Sequence, residues 1–114
     1  MEAASRGASE AGGTVLGVLP GTDRSRANAH ADITVATGVG HARNLAVLAS
    51  ADVVVAVGGE WGTLSEIALA GVLGRPVVAL QGWRLEHARE FPAGELHYAQ
   101  SAAEAVELAV GLAS

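Results

Sequence analysis

The chain has 114 residues, which is enough for one domain with a modest core, and we expect a single domain over residues 1–114. Its net charge is −5 and it contains no lysine, so binding to nucleic acid, which needs a basic surface, is not expected. Without cysteine it can form neither disulfides nor thiolate metal sites, and it has no cysteine nucleophile.

Alternating strands and helices joined by short connections predict an α/β fold with right-handed crossovers. The predicted helices cover, in chain order, residues 1–11, 41–51, 63–73 and 102–112. The predicted strands cover residues 14–19, 33–36, 52–57 and 76–80, with a short edge strand at 96–98. Two polar or charged stretches, residues 21–31 and 82–94, are predicted to be irregular.

Charged residues interrupt every apolar run, so no run approaches the roughly 18 residues of a membrane helix. The first residues also lack the apolar core of a signal peptide. We therefore expect a cytoplasmic protein without a membrane partner. The histidines are scattered singly, so we expect no metal site; they are His30, His41, His87 and His97.

A glycine-rich stretch follows the apolar, β-branched strand at 52–57 and leads directly into a helix. We call it the glycine turn, residues 58–63, and it reads Gly58-Gly59-Glu60-Trp61-Gly62-Thr63. Glycines allow close approach of a ligand to the backbone, and free N–H groups with the helix dipole favour a phosphate or carboxylate. The stretch is neither a Walker A loop nor a dinucleotide fingerprint. It predicts an anion site but no reaction.

Two side chains in or next to the glycine turn, Glu66 and Trp61, each have two interpretations. Thr63 and Glu66 fit a capping box, with Thr63 as the helix cap; alternatively, Glu66 faces a ligand as a ribose partner or an acid–base group. Trp61 either stacks on a purine or pterin or packs at a subunit contact. Trp83 and Phe91, in the second irregular stretch, are predicted to be lid or interface residues.

Several short motifs, weak singly but specific in their order and spacing, point to one family. They are Met1-Glu2-Ala3-Ala4, Arg6-Gly7-Ala8, Gly17-Val18-Leu19-Pro20-Gly21, Ala27-Asn28, Thr37-Gly38-Val39-Gly40, Ala42-Arg43-Asn44, the stretch 58–66 and Gly74-Arg75-Pro76-Val77-Val78. The chain resembles the Rossmann-like superfamily long misnamed lysine decarboxylases, which includes the LOG phosphoribohydrolases and the molybdenum-cofactor carrier proteins. The resemblance implies a Rossmann-like three-layer sandwich with a mainly parallel sheet.

Within that superfamily the chain is more similar to the carrier-protein branch. Asn44 follows Arg43 where LOG enzymes have lysine, and Val57 stands where they have proline. In LOG enzymes the residues matching Arg43 and Glu66 carry nucleotide cleavage, so these two are the candidate catalytic residues if the protein is a hydrolase. Taken by itself, Arg43 is either a solvated cation or a fork donor to a phosphate or to Glu66.

Candidate ligand-binding residues lie at the glycine turn, in the segment after the first strand and in the helix predicted at 41–51. They are Gly58, Gly59, Glu60, Trp61, Gly62, Thr63, Pro20, Gly21, Asn28 and Asn44. For Asn28, as for Asp23, turn formation is the ordinary role of such a loop residue and competes with ligand binding.

In relatives a strand, a helix, a second strand and a glycine-rich turn precede the helix with which this chain opens. We therefore expect a domain that lacks the first strand–helix–strand of the family. Its sheet would expose an apolar edge, and self-association into a homodimer or larger homo-oligomer is the simplest way to cover it.

Three functions follow as hypotheses. The first is binding of a small phosphate-bearing ligand, either a nucleoside monophosphate or a pterin such as the molybdenum cofactor. The second is hydrolysis of a nucleoside 5′-monophosphate to its base and ribose 5-phosphate. The third is a truncated structural domain without a competent site. Asn44 and Val57 favour the first over the second, and the missing front half favours the third. Lysine decarboxylation has no support, since the chain has no lysine to hold pyridoxal phosphate.

Overall fold

The computed structural model describes residues 1–86, 91 and 95–114. Helices and parallel strands alternate along the chain, so the predicted α/β class is confirmed. The chain divides into two compact units, residues 1–44 and 45–114, and each is described by itself. Part of the second predicted irregular stretch, including Pro92 and His87, lies outside the described residues.

The helices and strands follow the predicted order. The helices are α1 (Glu2–Glu10), α2 (Arg43–Ala49), α3 (Trp61–Val72) and α4 (Ala102–Ala113). The strands are β1 (Leu16–Leu19), β2 (Ile33–Ala36), β3 (Val54–Val57), β4 (Val77–Leu80) and β5 (Leu96–Ala99). Short 3-10 turns at Arg24–Arg26 and Gly40–Ala42 precede β2 and α2. The helix predicted at 41–51 is therefore shorter than expected, because a 3-10 turn takes up its first residues.

In the first unit, β1 and β2 form a parallel pair with Leu16 opposite Ile33. The pair is fixed at its start, where the Asp32 carboxylate accepts a hydrogen bond from the Val15 N–H at 2.6 Å. Because parallel strands in register end at the same edge of a sheet, the loops after β1 and β2 lie side by side.

The second unit contains a three-stranded parallel sheet in the order β3-β4-β5. Its last strand, β5, lies at an edge, as predicted for residues 96–98. Every residue of β4 is buried, which explains the unbroken apolar sequence of this strand.

Two clusters of buried residues cover opposite faces of β4. Val77 packs in one cluster with Ile67 of α3, and Val78 packs in the other with Ala105 of α4. Val77 and Val78 are fully buried, and burying a valine side chain stabilises a fold by about 1.5–3 kcal/mol. The second unit thus has three layers: helix, parallel sheet and helix. None of the described helices is long and apolar enough to cross a membrane.

Candidate functional site

The glycine turn leaves β3 through a backbone conformation that favours glycine. Gly58 has φ +97°, and its N–H donates to the Leu80 carbonyl at 3.0 Å, which extends the β3–β4 ladder by one residue. A side chain at Gly58 would be strained in this left-handed region. The chain therefore turns at Gly58, at the carboxyl edge of the sheet.

Helix α3 begins at Trp61, two residues earlier than predicted, with Glu60 as its N-cap residue. Thr63 is inside the helix rather than at its N-cap, and the side chain of Glu60 makes no capping hydrogen bond, so the capping-box interpretation is wrong. The reason is that extended backbone at Glu60 lets its carbonyl accept the first helical bond, from Leu64 N–H at 3.2 Å. The N–H groups of the first helical turn therefore have no acceptor within the helix.

Thr63 and Glu66 are half-buried and lie three residues apart on α3. Side chains at that spacing are neighbours on one face of a helix. Ser65, between them, donates its hydroxyl to the Gly62 carbonyl at 2.7 Å and thus bonds within its own helix. The carboxylate of Glu66 is placed one turn behind the glycine turn.

A second backbone turn, directly after β4, contacts the glycine turn. Gln81 has φ 54°, and a Cβ built on the next residue, Gly82, would overlap the carbonyl group of Gly58. The residue at position 82 must therefore be glycine unless the backbone shifts. Sequence reasoning missed this contact, although a glycine directly after a buried strand was the available signal.

The two tryptophans of the chain meet at the glycine turn. The Trp83 indole N–H donates to the Glu60 carbonyl at 2.9 Å. The ring centroids of Trp61 and Trp83 are 5.0 Å apart and the ring planes are tilted by 50°. Trp61 is 76% exposed, whereas Trp83 is half-buried against the cluster that contains Ile67. The prediction of Trp83 as a lid or interface residue missed its bond to the turn.

In the first unit, Pro20 and Gly21 follow β1 and are tied to the loop after β2. The Gly40 N–H donates to the Pro20 carbonyl at 2.9 Å and the Gly38 N–H donates to the Gly21 carbonyl at 3.0 Å. Both predicted residues line a cavity of about 320 Å³ with Leu19, Thr22, Asp23 and Arg26.

Arg43 is half-buried and directs its guanidinium to backbone carbonyls. Its Nε donates to Val18 at 3.0 Å and its Nη1 donates to Gly40 at 3.3 Å. Arg43 is therefore not a freely solvated cation, because its hydrogen bonds join strand β1 to the 3-10 turn that precedes α2. Its neighbour Asn44 is half-buried in α2.

Asn28 uses its side-chain amide within the first unit. Its Nδ2 donates to Ser5 Oγ at 3.2 Å, and its Oδ1 accepts from the His30 N–H at 3.0 Å. The turn-forming role expected of a loop asparagine is confirmed. Asp23 has the same role, since it accepts from the N–H and the hydroxyl of Ser25, and these bonds lower the pKa of the Asp23 carboxyl.

The predicted site residues thus fall into two groups. The glycine turn and Glu66 lie in the second unit, whereas Pro20, Gly21, Asn28, Arg43 and Asn44 lie in the first. The idea that Arg43 donates to Glu66 stays a prediction, because the two residues lie in different units. Within the described parts of both units, no three His, Asp or Glu side chains are grouped as metal ligands would be.

The family follows from a comparison over almost the whole chain. The model of the SLOG cluster4 family matches residues 1–106. The chain belongs to this family. The predicted membership of the LOG-like superfamily is therefore confirmed.

The chain is also similar to a protein of known sequence. An uncharacterised protein of Archaeoglobus fulgidus is 44% identical over 81 residues, 71% of this chain and 53% of that protein. The chain therefore spans about half the length of this curated relative.

Two solved structures are similar to the fold. The molybdenum cofactor binding protein from the phototrophic bacterium Rippkaea orientalis is 32% identical, with a TM-score of 0.84 over 100% of this chain and 71% of that one. The X-ray structure of TM1055, a structural genomics target, is 37% identical, with a TM-score of 0.79 over 94% of this chain and 69% of that one.

Proposed function

We propose that this protein binds a small phosphate-bearing pterin or nucleotide-like ligand at the glycine turn, and that the molybdenum cofactor is such a ligand. One observation carries the proposal: Gly58 turns the chain at the carboxyl edge of a parallel sheet, directly before the 12-residue helix α3. Ligands of open α/β sheets bind outside this edge. The name of the similar structure from Rippkaea orientalis supports the choice of a pterin cofactor.

The chemistry of the turn suits a phosphate. The first N–H groups of α3 lack helical acceptors and lie at the positive end of its dipole. The backbone is also open to a ligand, since a Cβ built on Gly59 or Gly62 would meet no atom closer than 3.9 Å. The N–H groups of Trp61, Gly62 and Thr63 and the hydroxyl of Thr63 would hold the phosphate.

Gly59→Val tests the proposal. A Cβ at Gly59 would meet only the Cα of Gly82, at 3.9 Å, so the variant is expected to fold while its side chain occupies the ligand space. The control is Gly111→Val in α4, where a Cβ also meets open space. Binding of GMP is measured by calorimetry. Binding of the molybdenum cofactor is measured anaerobically, as molybdenum that co-elutes with the protein.

We expect the unmodified protein and Gly111→Val to bind at least one of the two ligands. Gly59→Val should bind neither. Circular dichroism should show native spectra for both variants. Unchanged affinity in a folded Gly59→Val protein would refute the site. Binding of neither ligand by the unmodified protein would favour a structural domain.

A second candidate function is hydrolysis of a nucleoside 5′-monophosphate, releasing base and ribose 5-phosphate. The position of Glu66 supports it, because this half-buried carboxylate shares a helix face with Thr63 of the glycine turn. Glu66→Gln would remove the carboxylate while keeping its shape. Hydrolysis should then fall far more than ligand binding, which separates a catalytic from a binding role. Arg43 is the second candidate catalytic residue, as the resemblance to LOG enzymes implies.

We also propose that the protein works in the cytoplasm as a homodimer or larger homo-oligomer. Val55 and Val57 of β3 are about half-exposed, although parallel strands are ordinarily covered on both faces. Sedimentation velocity at micromolar concentration tests this. A stable monomer would show that the strands present form a sufficient core alone.

A further inference from the structure

We propose that Trp61, supported by Trp83, is the stacking surface for the planar ring of the ligand whose phosphate the glycine turn holds. This inference rests on the proposed function and specifies its ligand class: a phosphorylated aromatic heterocycle, such as a pterin or purine, rather than a sugar phosphate. Trp61 is highly exposed, which leaves most of a large apolar ring in water beside the turn.

Trp83 is held in place from three sides. Its indole N–H bonds to the Glu60 carbonyl at 2.9 Å, and its ring packs against the cluster that contains Ile67 and Val77. The residue before it, Gly82, lies directly against the backbone of Gly58. The ring of Trp83 is therefore a fixed part of the glycine turn.

The residues after Trp83 anchor it further, to β5. The Arg84 guanidinium lies 4.5 Å from the centroid of the Tyr98 ring. The Leu85 N–H donates to the Tyr98 hydroxyl at 3.0 Å. Because the segment is pinned at both ends, Trp83 is a rigid support for whatever packs on it.

Trp61 packs on this support with its ring tilted by 50°, so the pair is open rather than a closed stack. As the first residue of α3, Trp61 has its own N–H among those left without a helical acceptor. A ligand whose phosphate bonds to these N–H groups would lie within reach of the exposed ring. Aromatic rings stack on any planar heterocycle, whereas a sugar phosphate offers no such face.

The test compares two probes and three variants by calorimetry. The probes are 6-hydroxymethylpterin monophosphate, which has ring and phosphate, and ribose 5-phosphate, which has phosphate alone. The variants are Trp61→Ala, Trp61→Phe and, as a control on the same helix, Val72→Ala, whose side chain is also highly exposed.

We expect Trp61→Ala to weaken binding of the pterin phosphate about tenfold or more and to leave ribose 5-phosphate unchanged. Trp61→Phe should retain most of the affinity because it keeps an aromatic face, and Val72→Ala should bind as the unmodified protein does.

Equal affinity of Trp61→Ala and the unmodified protein for the pterin phosphate would overturn the stacking role while leaving the anion site intact. Equal weakening of both probes would also overturn it, since Trp61 would then only shape the turn. A lower sedimenting mass of Trp61→Ala with unchanged binding would assign Trp61 to a subunit contact. If the unmodified protein binds neither probe, the proposed function itself fails.

Discussion

Trp83 donates its indole N–H to the carbonyl oxygen of Glu60 at 2.9 Å, and this bond joins the segment after β4 to the N-cap residue of α3. The same carbonyl accepts the first helical bond, from Leu64. One oxygen thus fixes both the start of the helix and the aromatic ring beside it.

Trp83→Phe should destabilise the protein by about 0.5–1.5 kcal/mol, because it removes this hydrogen bond while keeping most of the apolar contact. The free energy of unfolding in urea measures the effect. Trp61→Phe is the control, since the exposed ring of Trp61 makes no hydrogen bond among those described. Equal stability of the two variants would show that the indole bond contributes nothing.

Gly82→Ala should destabilise the second unit by about 1–3 kcal/mol, because its Cβ overlaps the Gly58 carbonyl and forces the two turns apart. Gly7→Ala is the matched control: it lies in α1 with open space around its Cβ and should be neutral or stabilising. Thermal unfolding of both variants decides, and an unshifted midpoint for Gly82→Ala would contradict the close approach.

Arg43→Met should destabilise the first unit by about 1–3 kcal/mol, because two backbone carbonyls lose their charged donor. Arg24→Met makes the same change at an exposed position of a 3-10 turn and should be nearly neutral. Hydrogen exchange of the β1 and β2 amides is the measurement, with faster exchange expected in Arg43→Met alone. Identical protection in both variants would mean that Arg43 does not stabilise this unit.

Glu60→Gln should raise the affinity for inorganic phosphate by about two- to fivefold, because an exposed carboxylate at the start of α3 repels an anion there. Glu107→Gln in α4 changes the net charge equally at another exposed position and should have no effect. Calorimetry at low salt measures both. The same gain in both variants would indicate a response to net charge rather than to the glycine turn.

Asp23 should titrate below the ordinary range of an aspartate, because the Ser25 hydroxyl and N–H stabilise its charged form and lower its pKa. A lowered folded-state pKa contributes stability above the unfolded-state pKa, and that stability is lost as the pH falls through the folded-state pKa. Carboxyl NMR shifts measure the midpoint. Ser25→Ala should move it upward, and an unmoved midpoint would exclude the hydroxyl as the main cause.

Local sequence was sufficient to predict the elements whose pattern is regular. The strand at 33–36 agrees with β2, and the apolar run at 76–80 agrees with the buried β4. The prediction of β4 succeeds because burial on both faces of a parallel sheet imposes a continuous apolar, β-branched pattern. In β2, exposed and half-buried residues alternate instead. The glycine turn and the superfamily could be predicted because their residues are contiguous or regularly spaced in the sequence.

The tertiary structure decided what depends on residues distant in the chain. Thr63 looked like a helix cap, but α3 begins at Trp61 because Glu60 is extended and its carbonyl is shared with Trp83. From spacing alone Arg43 is either a solvated cation or a fork donor, and only the fold shows that carbonyls of β1 and the 3-10 turn accept hydrogen bonds from it. Spacing along a sequence records which residues share a helix face or a strand, but not which distant carbonyl or ring folding brings beside them. The pairing of Trp61 with Trp83, 5.0 Å apart, therefore exists only in the folded chain.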